Sequence, residues 1–167
     1  MPQRTAHIRQ SALIAAASAA LALAAAAPAY AKTAHHKTAR ASGTTVHVIE
    51  HANTDFEAPG AGGKDVKDVK GNILTFNNPV FDTANKKQVG HDEGFCVRLQ
   101  PKLGIWECLW TTFLKGGQIT VQGPFYDTRN SVLSITGGTG AYEGARGEMN
   151  LNSRNGGKAY DFIFHLM

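Results

Sequence analysis

Residues 118–149 read QITVQGPFYDTRNSVLSITGGTGAYEGARGEM, and this stretch decides the fold. It holds two β-patterned segments, Gln118–Tyr126 and Ser131–Thr136. A corner dense in glycine follows, with Gly137, Gly138, Gly140, Gly144 and Gly147, and a third segment opens at Arg146. Glycine admits positive φ and close backbone approach, so the composition predicts a tight corner between strands. No helical periodicity accompanies it.

Working outward, the same pattern recurs. Toward the C-terminus, Arg146–Ser153 and Lys158–Leu166 flank a hairpin-type turn at Asn155-Gly156-Gly157. Toward the N-terminus, Lys115-Gly116-Gly117 marks another turn, preceded by Ile105–Leu114. That strand answers Gly94–Gln100 across Pro101-Lys102-Leu103-Gly104. A turn centred there sets Cys96 opposite Cys108 and Arg98 opposite Trp106. Directly opposed residues have a Cα separation that a disulfide can use, and closing this loop stabilises by about 2–3 kcal/mol. Two free thiols on a buried face are the alternative. Further upstream, Asp82–Asp92 reads as a polar loop, Asn77-Asn78-Pro79 as a turn and Ile73–Phe76 as a short strand. Residues 52–71, with Pro59, Gly60, Gly62, Gly63 and the repeat KDVKDVK, read as a long loop. Thr44–His51 alternates Val46, Val48 and Glu50 against His47, Ile49 and His51, a strand signature.

The count is eight strands with no amphipathic helix. Eight antiparallel strands close into a barrel that holds one small ligand, and closure removes exposed sheet edges. The expected fold is therefore all-β, an eight-stranded antiparallel closed β-barrel over residues 44–167.

The first 43 residues lie outside that domain. Arg4 and Arg9 precede an Ala/Leu-rich run from Ser11 to Ala27, and Ala29-Tyr30-Ala31 fits a small-x-small cleavage site. Residues 1–31 thus read as a secretory signal peptide, with an apolar run short for a membrane span. Residues 32–43 form a polar leader expected to be disordered; its His35-His36 pair is read as part of a solvated tail. The chain is expected to be secreted or periplasmic, with no membrane attachment after cleavage. An exported chain with two cysteines is compatible with one disulfide. Removing the two basic residues of the signal peptide leaves 15 Lys/Arg against 13 Asp/Glu, so the mature charge is +2. A near-balanced body argues against nucleic acid as a partner.

Motifs for other chemistries fail on context. Gly138-Thr139-Gly140 lacks the strand–loop–helix setting of a nucleotide loop. No H-E-x-x-H or C-x-x-C is present, so no metal site and no cofactor is expected. Ser131 and Ser134 lack a G-x-S-x-G setting. Four residues are left to carry function. Glu50 shares its face with Val46 and Val48. Periodicity alone slightly favours the exterior for it, whereas burial would raise its pKa or demand a partner such as Arg98. Arg98, Trp106 and Trp110 fall on the cysteine face. Aromatic residues there suit an apolar ligand, although core packing is their usual role.

Ile119–Phe125 (ITVQGPF) and Thr136–Ala145 (TGGTGAYEGA) resemble the allene oxide cyclase family closely and dirigent proteins more loosely. Gly94–Gln100 (GFCVRLQ) resembles the family's cysteine-bearing strand, and Val48–Asn53 its opening strand. The resemblance implies a calycin-type barrel that confines an apolar substrate and steers its ring closure to one chiral product. It implies that Glu50 stabilises charge developing on the substrate and that Cys96 borders the cavity. It adds Asn53 to Cys96, Arg98, Trp106 and Trp110 as substrate-binding residues, since the family's asparagine stands one place earlier, where this chain has Ala52. It further implies a homo-oligomer, a trimer in the family. A non-catalytic dirigent-like or lipocalin-like barrel that binds small hydrophobic or phenolic molecules is the second reading.

Overall fold

The computed structural model describes residues 43–60 and 67–167. The expected signal peptide and nearly all of the polar leader lie outside these residues. Nine strands follow in order: β1 Thr44–His51, β2 Phe56–Ala58, β3 Ile73–Phe81, β4 Gln88–Gln100, β5 Ile105–Leu114, β6 Gly117–Tyr126, β7 Ser131–Gly140, β8 Gly147–Arg154 and β9 Ala159–Leu166. One 3-10 turn, Pro101–Leu103, links β4 to β5. All pairings are antiparallel, in the order β1-β9-β8-β7-β6-β5-β4-β3-β2. A further pairing of β1 with β3 closes the sheet, so eight strands form a barrel and β2 is an appendage on β3.

Alternation sorts the side chains into lumen and exterior. On β9, Phe162 and Phe164 are buried, and they sit opposite Val48 and Val46 of β1. Ile119 and Val121 of β6, Leu133 and Ile135 of β7, and Met149 and Leu151 of β8 complete the apolar packing. This cluster fills one part of the lumen, as expected of an eight-stranded barrel.

The corner that decided the fold is strand for longer than expected. β7 runs on through Gly137, Gly138 and Gly140, and the turn proper is Ala141–Gly144. Gly140 has φ +61°, and a Cβ there would lie 2.2 Å from the carbonyl oxygen of Gly116. Only glycine lets β7 pass so close to the β5–β6 turn.

Two expectations upstream need correction. Asn77-Asn78-Pro79 is not a turn but the middle of β3, and β4 begins at Gln88, so the second part of the expected polar loop, 88–92, is strand. Proline is tolerated in β3 for a positional reason. The Asn77 N–H faces the β1–β2 side, where it donates to Thr54 Oγ1 at 2.9 Å. Residue 79, two places on, faces the same side, and β3 pairs there with β2 only up to Thr75 and with β1 only from Val80. No ladder partner is lost at Pro79.

Candidate functional site

The closing seam positions the site. β1 meets β3 through only two register pairs, Ile49 with Phe81 and Glu50 with Val80. Beyond Glu50 the seam is continued by one side chain. Asn78 Oδ1 accepts from the backbone N–H groups of Asn53 (3.0 Å) and Thr54 (2.8 Å) and from Thr54 Oγ1 (3.0 Å). Its Nδ2 donates to Glu50 Oε1 (2.5 Å) and Asp55 Oδ1 (2.7 Å). Three donors around the oxygen and two carboxyls around the nitrogen settle the orientation of the amide. The Asn78 backbone N–H donates to Asp92 Oδ1 at 3.1 Å. One asparagine therefore gathers three acids from β1, β4 and the segment after β1.

Glu50 is 3% exposed and Asp92 fully buried. Desolvation, reinforced by the neighbouring Asp92 and Asp55, pushes Glu50 up to about 9 despite the Asn78 hydrogen bond. Desolvation likewise pushes Asp92 up to about 7. Tyr160, opposite Glu50, is raised to about 12 by burial and by Glu50, Asp55 and Asp127. Burial favours the uncharged acid, so Glu50 carries a proton at neutral pH. Asn78 occupies Oε1, and Glu50 Oε2 and Asp92 Oδ2 have no hydrogen-bond partner among the described residues.

These acids form one wall of a cavity inside the barrel, with about 440 Å³ of empty space including its mouth. The other walls are apolar: Leu74, Phe76, Trp110, Phe125 and Phe162, with the Cys96–Cys108 disulfide among them. Gly94 shapes one wall. A Cβ there would lie 2.3 Å from the Trp110 Cβ, so glycine makes room for the indole. The indole packs edge-on to Phe76 with centroids 6.1 Å apart, and tilted on Phe162 at 5.4 Å. Its Nε1 has no hydrogen-bond partner among the described residues.

The register expected of the hairpin holds: Cys96 pairs with Cys108 and Arg98 with Trp106. The cysteines are bonded, with Cα atoms 4.0 Å apart. Arg98, however, is not the partner of Glu50. Its guanidinium stacks on the Trp106 ring at 3.8 Å and contacts Asp127 Oδ2 (2.6 Å) and Asp68 Oδ1 (2.7 Å). Trp106 Nε1 donates to the other Asp127 oxygen at 2.8 Å. Arg98 and Trp106 thus lie away from the cavity, and Asn53 is exposed beside Asn78. Of the expected site residues, the barrel brings Glu50, Cys96 and Trp110 together. Asn78, Asp92 and Asp55 complete the site, and none of them was anticipated. The signal was present as the alternation Leu74, Phe76, Asn78, Val80, which runs straight through the supposed turn.

Residues 39–155 match the family model for allene oxide cyclase. The chain belongs to the allene oxide cyclase family. Among solved structures it is similar to pyocyanin demethylase, at 25% identity with a TM-score of 0.59, covering 74% of this chain and 100% of that one. A pterocarpan synthase dirigent protein is 18% identical, with a TM-score of 0.60 over 75% of this chain and 85% of its own. An exo-specific intermolecular Diels-Alderase is 15% identical, with a TM-score of 0.59 over 75% and 98%. The last two share the fold. This allene oxide cyclase-family chain accordingly shares its barrel fold with a dirigent protein and a Diels-Alderase.

Proposed function

We propose that the protein is an exported isomerase that confines an apolar, lipid-like substrate in the barrel and steers its ring closure. One observation carries this reading: the Glu50 carboxyl is buried in the wall of an aromatic cavity, pushed up to about 9, with one oxygen that has no hydrogen-bond partner among the described residues. Buried acids with displaced pKa values mark functional sites because folding alone disfavours them. In an epoxide-opening isomerisation, the Glu50 Oε2–H group donates a hydrogen bond to the strained oxygen as its C–O bond breaks. Positive charge then develops on the carbon framework. The faces of Trp110 and Phe76 and the adjacent Asp92 carboxyl stabilise it. Ring closure forms the C–C bond, and the Glu50 proton stays where it began. The walls select one folded conformer, so orientation contributes more than acid–base work.

The test is an allene oxide generated in situ, scored by the enantiomeric ratio of the cyclopentenone. Spontaneous closure yields a racemate. The wild type is expected to give one enantiomer in excess, and Glu50→Gln to lose 10–1000-fold in rate, about the range for one preorganised group. A racemic product from the wild type would leave the second reading, a dirigent-like or lipocalin-like barrel binding hydrophobic or phenolic molecules. The predominance of aromatic walls supports that reading.

The disulfide is compatible with an extracellular or periplasmic protein, as is the lack of a membrane-length apolar helix among the described residues. Together with the leader pattern this supports export. We also propose self-association through the outer faces of β2–β5, where Phe56, Ile73, Phe95 and Leu109 are exposed on paired strands. Sedimentation showing a monomer at all concentrations would refute it.

A further inference from the structure

We infer that the cavity selects a ligand whose apolar ring system carries a basic or permanently cationic nitrogen, seated against Glu50, Asp55 and Asp92. The inference rests on reading the cavity as the substrate site, and it narrows the substrate beyond a lipid-like hydrocarbon.

The first ground is the charge balance of the wall. Three carboxyl side chains border the cavity, and no Lys, Arg or His borders it among the described residues. Elsewhere in the same barrel the buried cation Arg98 is matched by two acids. The cavity wall lacks a counter-charge of that kind. Asn78 cannot supply one, because its Nδ2 donates to Glu50 and Asp55 and its oxygen is filled by Asn53 and Thr54. The second ground is independent of the acids' number. Glu50 and Asp92 line the cavity with side chains at least 97% buried, and their Oε2 and Oδ2 atoms have no hydrogen-bond partner among the described residues. The third is the composition of the other walls. Trp110, Phe76 and Phe162 line the same cavity as the carboxyls, and aromatic rings beside acids favour a cation or its flat heteroaromatic carrier. An anionic ligand would meet acids and electron-rich rings in the same wall.

The site has a proton signature. The groups facing Glu50 are Asp92, Asp55, Asn78 and Tyr160, and the phenol stays neutral through the working range. With Glu50 at about 9 and Asp92 at about 7, a permanent cation enters by displacing a proton. Its affinity therefore rises with pH. A neutral nitrogen base instead takes up the Glu50 proton, and nothing is released.

The experiment titrates the folded chain with three bicyclic probes of matched shape: N-methylquinolinium, its neutral isostere methylnaphthalene, and naphthoate. At pH 8 the cation is expected to bind about tenfold or more tighter than the isostere, and naphthoate weakest. Calorimetry near pH 7 in two buffers of different ionisation enthalpy should show protons released with the cation alone. Asp55→Asn and Asp92→Asn, checked for folding by circular dichroism, should lower the cation's affinity and leave methylnaphthalene unchanged. The wild-type comparison stands even if a variant fails to fold. A cation bound no better than its isostere overturns the inference while the cavity remains an apolar substrate site. Binding of none of the three overturns both readings.

Discussion

β4 carries two buried charged residues, and they are solved in opposite ways. Asp92 and Arg98 are six places apart, roughly 20 Å along the strand at about 3.3 Å per residue. Arg98 has two opposite charges and an indole ring beneath it, with the indole N–H bonded to the same Asp127. Asp92, with Glu50 and Asp55, has one shared asparagine and no cation among the described residues. A charge-matched buried ion serves the fold. Unmatched buried acids weigh against the fold, and they face the cavity. The contrast divides the lumen into a structural end and a chemical end.

The largest consequence is in stability against pH. Glu50 and Asp92 hold their protons in the folded chain up to about 9 and 7, far above their ordinary carboxylate values. Between those limits the native state binds more protons than the unfolded chain, so stability falls as pH rises. The contribution is full below the ordinary carboxylate range and is lost on passing about 7 and then 9. Denaturant unfolding should show a loss on the order of several kcal/mol between pH 5 and pH 10. Asp161, held low by Arg154 and His47 against the opposing effect of burial, acts in the other direction only at more acidic pH. A flat profile would place Glu50 and Asp92 in contact with solvent.

Next in size is the bond that fastens the structural end to the cavity. Replacing both Cys96 and Cys108 by serine should cost about 3 kcal/mol, the scale for closing a loop of this length. The midpoint of urea unfolding would report it, and reductant on the wild type should reproduce it. Arg98→Met should cost about 2 kcal/mol, because Asp127 and Asp68 are partly exposed and recover water when the guanidinium is gone. That loss should be similar at pH 5 and pH 9. Glu50→Gln should do the reverse: a change within about 0.5 kcal/mol at pH 4, and a gain in stability that grows from there to about pH 9, because in that window only the unfolded wild-type chain ionises this carboxyl. If both variants shifted alike with pH, the division of the lumen would fail.

The two ends were unequally legible in the sequence. The structural end follows from local pattern, since a short turn at Pro101–Gly104 sets Cys96 against Cys108 and Arg98 against Trp106. The chemical end does not. Asn78 precedes a proline and follows an asparagine, which is the composition of a turn, and Asp92 sits in a polar run. Polar residues inside a barrel interrupt the apolar alternation that identifies strands, so the functional wall is where the pattern breaks. Glu50 was recovered only through its family resemblance, because alternation alone does not say which face of β1 is the lumen. Pro79 becomes intelligible once the narrow seam between β1 and β3 is known, a tertiary fact with no local trace.

The central claim is that Glu50 stands protonated in the lumen at neutral pH, and a carboxyl titration tests it most directly. Carbon-13 labelling of glutamate side chains, with Glu50 assigned by its disappearance in Glu50→Gln, would follow the carboxyl resonance as pH is raised. A midpoint near 9 is expected. A midpoint near the ordinary glutamate value of about 4.3 would contradict the account, leaving Glu50 a charged residue open to water.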